Sequence, residues 1–296
     1  MTYYIFLALL AGAIFAVSGV AYRIGGMGKA EPIQCGVFLS VLGFLLFGFI
    51  GYREWQNIDG RLAVIIAIAG IFQYLVIVLL RWGLKLGPLS PVWCAASLNF
   101  IPTIIYAAIF CNEKLSIFQY FSIAATVGAI VSASFGNKTQ EEQKSSSLLT
   151  KILYCIILLA LVIFNSSLGI ALKLCTHLTF PGSDITYNAG CGNVILSVVY
   201  FIIMACGAAD LTVRKKWVFN KLSCTGGVLL GISSTTGYAL LLYLVGRAPA
   251  VTVFALSSTV SILVVALISV AFMHEKINRA WFLTVGFSVL SILLNR

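Results

Sequence analysis

Apolar runs of about 20 residues, the length a helix needs to cross a hydrocarbon core of ~30 Å, recur along the whole chain with short polar breaks between them. The pattern predicts ten spans, at about Tyr3 to Tyr22, Ile33 to Tyr52, Leu62 to Leu80, Leu89 to Phe110, Ile117 to Phe135, Lys151 to Leu174, Thr186 to Cys206, Ser223 to Leu244, Ala250 to Phe272 and Arg279 to Leu294. Breakers support these cuts, because Glu31-Pro32, Gly87-Pro88 with Pro91, Pro181-Gly182 and Ala248-Pro249 all fall between runs. The longest polar stretch, Gly136 to Thr150, lies mid-chain and reads as a flexible tether. The expected organisation is an all-α integral membrane bundle of ten transmembrane helices, with residues 1–135 and 151–296 as two five-span units and 136–150 between them.

A central tether invites a search for an internal repeat. Gly19, Ala21 and Arg23 match Gly169, Ala171 and Lys173, and Cys35-Gly36 matches Cys191-Gly192. Gly70, Gln73 and Tyr74 fall opposite Gly231, Ser234 and Thr235 at nearly constant spacing. The clearest match closes spans four and nine, where Asn112-Glu113-Lys114-Leu115-Ser116 parallels His274-Glu275-Lys276-Ile277-Asn278. Ser116 and Asn278 are expected to cap spans five and ten, with the two glutamates beside those positive helix ends in a structural, non-catalytic role. An odd number of spans per unit makes the second unit enter the membrane from the opposite side, so the repeat is expected to be inverted.

Composition agrees with a bilayer as solvent: 60% of the 296 residues are hydrophobic and 9% charged, against roughly 25% charged in soluble domains. The N-terminal run lacks a basic n-region and a small-residue cleavage site, so it is read as the first span and not as a signal peptide. The net charge of +10 is spread singly through the breaks, apart from the run Arg214-Lys215-Lys216. Lipid headgroups account for it better than nucleic acid. The eight cysteines form no C-x-x-C pair and are read as small hydrophobes, and the two histidines lie far apart. Neither a metal site nor a bound cofactor is expected.

The span count, the paired units and the duplicated E-K-aliphatic turn resemble the drug/metabolite transporter superfamily, specifically its EamA-type members. Residue matches are Glu113-Lys114 and Glu275-Lys276 in the turns and Pro88 and Pro249 before the fourth spans. The chain departs from the family pattern at Asn112 and His274, where a small residue often precedes the glutamate. The resemblance implies transport, with the first four helices of each unit around a central cavity and the fifth peripheral.

Polar residues inside spans should face other helices or a wet cavity. Gly70, Gln73, Tyr74 and Arg81 share a face of span three, and Gly227, Gly231, Ser234 and Tyr238 share one in span eight. Ala96, Asn99, Thr103 and Tyr106 align in span four, where Pro102 is expected to loosen the helix. Span six adds Asn165 and Ser166, and span nine Ser257, Ser258, Thr259 and Ser261. The candidate substrate contacts are Gln73, Tyr74, Asn99, Asn165, Ser234, Tyr238, Ser257 and Ser258. The competing role for each Ser or Thr is helix-packing glue, the commoner one, while the amides of Gln73, Asn99 and Asn165 need several partners and stand evenly between the two. Tyr74, Tyr238 and Trp93 are read either as stacking groups or as interfacial anchors. Ala124, Gly128 and Ser132 form a small-x-x-x-small stripe read as intramolecular packing, with a weak homodimer as the alternative to a monomer.

No Asp or Glu falls near the middle of any span, which removes the usual proton relay. Arg23, Arg81, Lys85, Lys173 and Arg247 lie near span ends and are expected to snorkel, with Arg81 or Arg247 able to meet an anion at a cavity mouth. The positive-inside rule favours both termini outside and the tether in the cytoplasm. The expected function is a secondary transporter of a small neutral or zwitterionic metabolite, working by alternating access in a bacterial plasma membrane. A non-transporting membrane scaffold is the alternative. Without a G-x-x-x-x-G-K-[ST] loop to bind ATP the transport is expected to be secondary, and an enzyme is not expected, since paired carboxylates, a His-rich cluster and a metal site within the spans are lacking.

Overall fold

The computed structural model describes residues 2–58, 60–86, 92, 95–135, 148–177, 189–273 and 279–294. Among them no strand occurs. The helices are α1 (Thr2–Met27), α2 (Pro32–Ile50), α3 (Gly60–Leu86), α4 (Phe100–Phe110), α5 (Ile117–Phe135), α6 (Leu148–His177), α7 (Ala189–Val213), α8 (Lys221–Val245), α9 (Leu256–Met273) and α10 (Arg279–Leu294), with a π-helical turn at Val251–Ala255. Among the described residues seven helices are long and apolar enough to cross a bilayer; Ala95–Phe110, Ile117–Ser132 and Trp281–Leu294 are shorter apolar helices. The chain is an all-α, multi-pass integral membrane protein. The tether from 136 to 147, Pro88, Pro91, Trp93, Pro181, Gly182 and the turn 274–278 lie outside the described residues.

Side-chain distribution is that of a protein dissolved in lipid. Large apolar groups such as Phe49, Phe6, Leu159 and Ile163 face outward, while the interior holds Gln34, Ser40, Gln73, Ser122, Thr126 and Thr259. Since lipid tails are as apolar as leucine, association rests on close packing and interhelical hydrogen bonds, not on hiding apolar surface from water. Glycines supply the close packing in α8, where Gly227 abuts the Phe38 ring and Gly231 abuts Leu42.

The main packing partners of the helices before the tether come from after it: α1 packs on α8 and α9, α2 on α7 and α8, α3 on α6 and α7, α4 on α6, and α5 on α10. Exchanging each helix number n with n+5 returns the same set of pairs. Helix ends fix the two faces of the bundle. Lys173 near the end of α6 reaches Val245 at the end of α8 and Glu113 just past α4; at the opposite face Asn220, before α8, donates to Gly28, after α1. Ser122, early in α5, meets Ser291, late in α10, so both chain termini lie at the Glu113 face.

Two helices are irregular where the candidate site needs them to be. Pro102 has no N–H, so the Leu98 carbonyl accepts from Ile101 at 3.1 Å, and the chain makes a turn at Leu98–Asn99 before α4 starts. The predicted continuous span four is thus broken at Asn99. Its counterpart opens with the π-helical turn Val251–Ala255, which Ala250 separates from Pro249.

The small-residue stripe of α5 packs within the molecule at two of its three positions: Gly128 lies against Phe287 and Ser132 bonds Thr284 at 3.0 Å, while Ala124 is exposed. Deeper in this seam Thr126 bonds Ser291 at 2.7 Å and Thr259 at 2.8 Å.

Candidate functional site

Two adjoining chambers open inside the bundle, sharing Phe15, Ala96, Ser97, Asn165, Leu168, Tyr238 and Ser261 as walls. The chamber of about 240 Å³ lies between α1, α3, α7 and α8, and includes Gln73, Ser234 and Tyr238. The one of about 160 Å³ reaches α4 and the π-helical turn, and includes Asn99, Ser257 and Ser258. Seven of the eight candidate contacts therefore line one lumen, with Asn165 in both chambers. Tyr74 lines neither and packs half-buried against the main core.

The amides hold the lumen's frame. Gln73 donates from Nε2 to the Asn165 carbonyl at 3.2 Å and to the Ser167 hydroxyl at 3.4 Å, joining α3 to α6. Asn165 donates from Nδ2 to the Ala96 carbonyl at 2.8 Å. Carbonyl partners require the NH₂ end of each amide, which fixes its orientation and leaves the amide oxygen as the group that can meet a solute. Ser257 spends its proton on the Val253 carbonyl at 2.6 Å within its own helix, and Ser234 bonds Ser18 across to α1 at 3.0 Å. The turn at Asn99 lies on the chamber wall, and its carbonyl is taken up by the Thr103 hydroxyl at 3.2 Å, so the irregular backbone at membrane depth is satisfied.

Aromatic rings form the remaining walls. Phe15 meets Tyr238 edge-on with centroids 5.2 Å apart, and Tyr200 meets Tyr238 edge-on at 6.4 Å. Tyr200, Tyr22 and Ser18 were not among the residues singled out from the sequence, yet they line the larger chamber. Phe15, Ser18 and Tyr22 share one face of α1 at helical spacing, a readable signal; Tyr200 sits in an unbroken apolar run and gives none.

Among the described lining residues none carries a formal charge. Arg81 lies one residue beyond Leu80, and its Nε is 3.1 Å from Glu31. Arg247 stacks its guanidinium over the Tyr243 ring, 4.0 Å from the centroid. Lys173 does not snorkel: only 2% of its side chain is exposed, and its ammonium pairs with Glu113 and donates to the Val245 carbonyl at 3.0 Å. Nothing else could hold a lysine in such a place, because an unpaired buried ammonium would be prohibitively costly.

Local structure aims Glu113 at this lysine. Asn112 takes the left-handed conformation at φ 52°, which asparagine tolerates, and the Glu113 N–H reaches back to the Ala107 carbonyl at 3.3 Å. The second carboxylate oxygen accepts from the Ala250 N–H at 2.7 Å. Glu113 therefore caps the start of the ninth span, not the fifth as expected. The fifth is capped by Ser116, whose hydroxyl accepts from the Gln119 N–H at 3.3 Å while Gln119 returns a bond at 2.9 Å.

Such a lumen can bind, orient and release a solute through hydroxyl, amide and aromatic contacts. Among the described residues no group of three or more His, Cys, Asp or Glu could hold a metal.

Comparison with known proteins fits this arrangement. Residues 2–135 match the EamA-like transporter family. A solved crystal structure of a protein aligns over 97% of this chain and 95% of its own, with a TM-score of 0.69 at 15% identity, which shows a shared fold. No curated protein matches.

Proposed function

We propose, for a chain that belongs over residues 2–135 to the EamA-like transporter family of the drug/metabolite transporter superfamily and is thereby a membrane transporter, that it is a secondary carrier of a small neutral or zwitterionic metabolite working by alternating access. The observation that carries this reading is the uncharged lumen at the meeting of helices from both halves, with Gln73, Asn99, Asn165, Ser234, Tyr238, Ser257 and Ser258 on its walls. Residues 1–135 and 151–296 act as two inverted repeats about that lumen. The n to n+5 exchange of helix partners supports this division.

The lumen is sealed on the face that carries the termini. Leu172, Lys173, Leu244, Val245, Ala250 and Val251 are all buried there, bound together by the Glu113–Lys173 pair. The broken helix at Asn99 and the π-helical turn at Val251–Ala255 are the points where α4 and α9 can bend as the face opens. With no carboxylate among the described lining residues, coupling does not pass through an acid in the pocket.

Reconstitution into liposomes tests the reading. A carrier shows saturable uptake of at least one of a panel of radiolabelled amino acids, nucleosides and sugars, and that uptake accelerates when the same unlabelled compound is loaded inside. Uptake absent across the panel, or rising linearly without saturation, would remove the alternating-access assignment.

A further inference from the structure

Tyr200 lies in the middle of α7 with 3% of its surface exposed, on the wall of the larger chamber. Its ring is fixed on three sides. Phe47 stacks on it nearly parallel, with centroids 5.9 Å apart and 12° between planes, and Tyr238 meets it edge-on. The third side is Gly43, where a Cβ would run into the ring itself. A ring so confined cannot swing its hydroxyl elsewhere, and that hydroxyl has no hydrogen-bond partner among the described residues. Burying an unpartnered phenolic O–H is unfavourable, and phenylalanine would fill the same space without that cost. The ring lines the chamber but the hydroxyl has almost no accessible surface there, so it gains a partner only when a solute presses the wall aside.

We propose that the Tyr200 hydroxyl is the polar anchor for the transported solute, and that the solute is an uncharged, planar, hydrogen-bonding molecule whose face lies against the Phe15 and Tyr238 rings. This rests on the carrier reading above. The lack of charge follows from the walls: Ser18, Ser97, Ser234 and Ser261 surround the chamber, and among the described residues no cation or carboxylate lines it to neutralise an ionised solute. The Gln73 and Asn165 amide oxygens accept hydrogen bonds, and Tyr200 supplies one more donor or acceptor, a set suited to ring carbonyl and N–H groups. Tyr238 and Phe15 offer flat apolar faces.

Purified protein in liposomes is assayed with three radiolabelled probes: uridine, uncharged and carrying a planar base; L-leucine, zwitterionic; and tetraethylammonium, cationic. The expected result is saturable uptake of uridine over the other two, with Tyr200→Phe raising its KM about five- to tenfold, the worth of one hydrogen bond. The melting temperature of Tyr200→Phe in detergent is expected to be unchanged or higher, since only an orphan hydroxyl is removed. Transport confined to leucine or tetraethylammonium overturns the solute class while leaving a carrier. Unchanged uridine KM in Tyr200→Phe, or a melting temperature lowered by several degrees, overturns the anchor by showing that the hydroxyl is idle or serves the fold. No flux of any of the three overturns this proposal, while the carrier reading falls only if the wider panel of amino acids, nucleosides and sugars is silent too.

Discussion

Two acid–base pairs sit at opposite faces of the bundle, and they are built differently. At the face carrying the termini, Glu113 and Lys173 show 15% and 2% side-chain exposure. Both heads are tied down by backbone as well as by each other, through Val245, Ala248 and Ala250. At the tether face, Arg81 and Glu31 show 14% and 24%, and the approach of Arg81 Nε to Glu31 Oε2 at 3.1 Å is a charge contact without hydrogen-bond geometry. The first pair is a bolt through three segments of the second half and one turn of the first. The second is a loose electrostatic contact between α3 and the α1–α2 turn. Proximity of opposite charges is thus a poor guide to strength; what distinguishes the pairs is whether every polar atom finds a partner after desolvation.

Breaking the bolt should have the largest effect. Lys173→Met leaves Glu113 without its cation in a largely water-free setting and is expected to cost about 3–5 kcal/mol, read as a collapse of folded yield in detergent by size-exclusion chromatography. Glu113→Gln keeps an oxygen that can accept from Ala250 but leaves the more deeply buried Lys173 ammonium without a counter-charge, and should cost about as much, about 3–5 kcal/mol. The double variant removes both charges and should be more stable than the sum of the two losses predicts; strict additivity would show that the residues do not act as a pair. Full yield with selective loss of transport in Glu113→Gln would instead make the carboxylate part of the transport chemistry.

What the sequence made legible, and what it hid, follows the same physical line. Spans and breaks could be read because apolar length and Pro or Gly punctuation are local properties. Even so, α1 and α3 run to Met27 and Leu86, past the predicted ends at Tyr22 and Leu80, because a basic residue and glycines such as Gly25, Gly26 and Gly83 weaken a helix without ending it. Faces within one helix were also readable: Gln73 and Ser234, matched by repeat alone, line the same chamber. The bolt was not readable, since Glu113 and Lys173 are 60 positions apart and each reads as an ordinary helix-end charge when taken alone. Nor was Tyr200, whose importance depends on Phe47, Tyr238 and Gly43 around it and not on its own neighbours in sequence. The break at Asn99 was half legible: Pro102 announces a weak point, but only the structure shows the carbonyl that it abandons.

Between the two faces, Gln73 and Asn99 divide frame from contact. Gln73→Ala deletes the bridge from α3 to the α6 backbone and strands polar groups there, so it should both lower transport and destabilise by about 1–3 kcal/mol. Asn99→Ala sits at a turn already broken by Pro102 and should lower transport while the melting temperature stays within a degree or two. Equal stability losses in both would show that Asn99 is a strut like Gln73; unchanged flux in both would remove them from the pocket.

The smallest effect is expected at the tether face. Arg81→Gln removes a mostly buried pair whose contact lacks hydrogen-bond geometry, and a charge contact so poorly aligned contributes about 1 kcal/mol. The glutamine keeps most of the length and polarity that sit beside Leu80 at the edge of the chamber, so folded yield should match wild type. If Arg81 instead meets solute entering from this face, its loss would raise KM for an anionic probe without touching stability. An uncharged probe would be indifferent to it. A stability loss approaching that of Lys173→Met would erase the contrast between the two faces, and would mean that Glu31, left without its cation, is as desolvated in the membrane as Glu113.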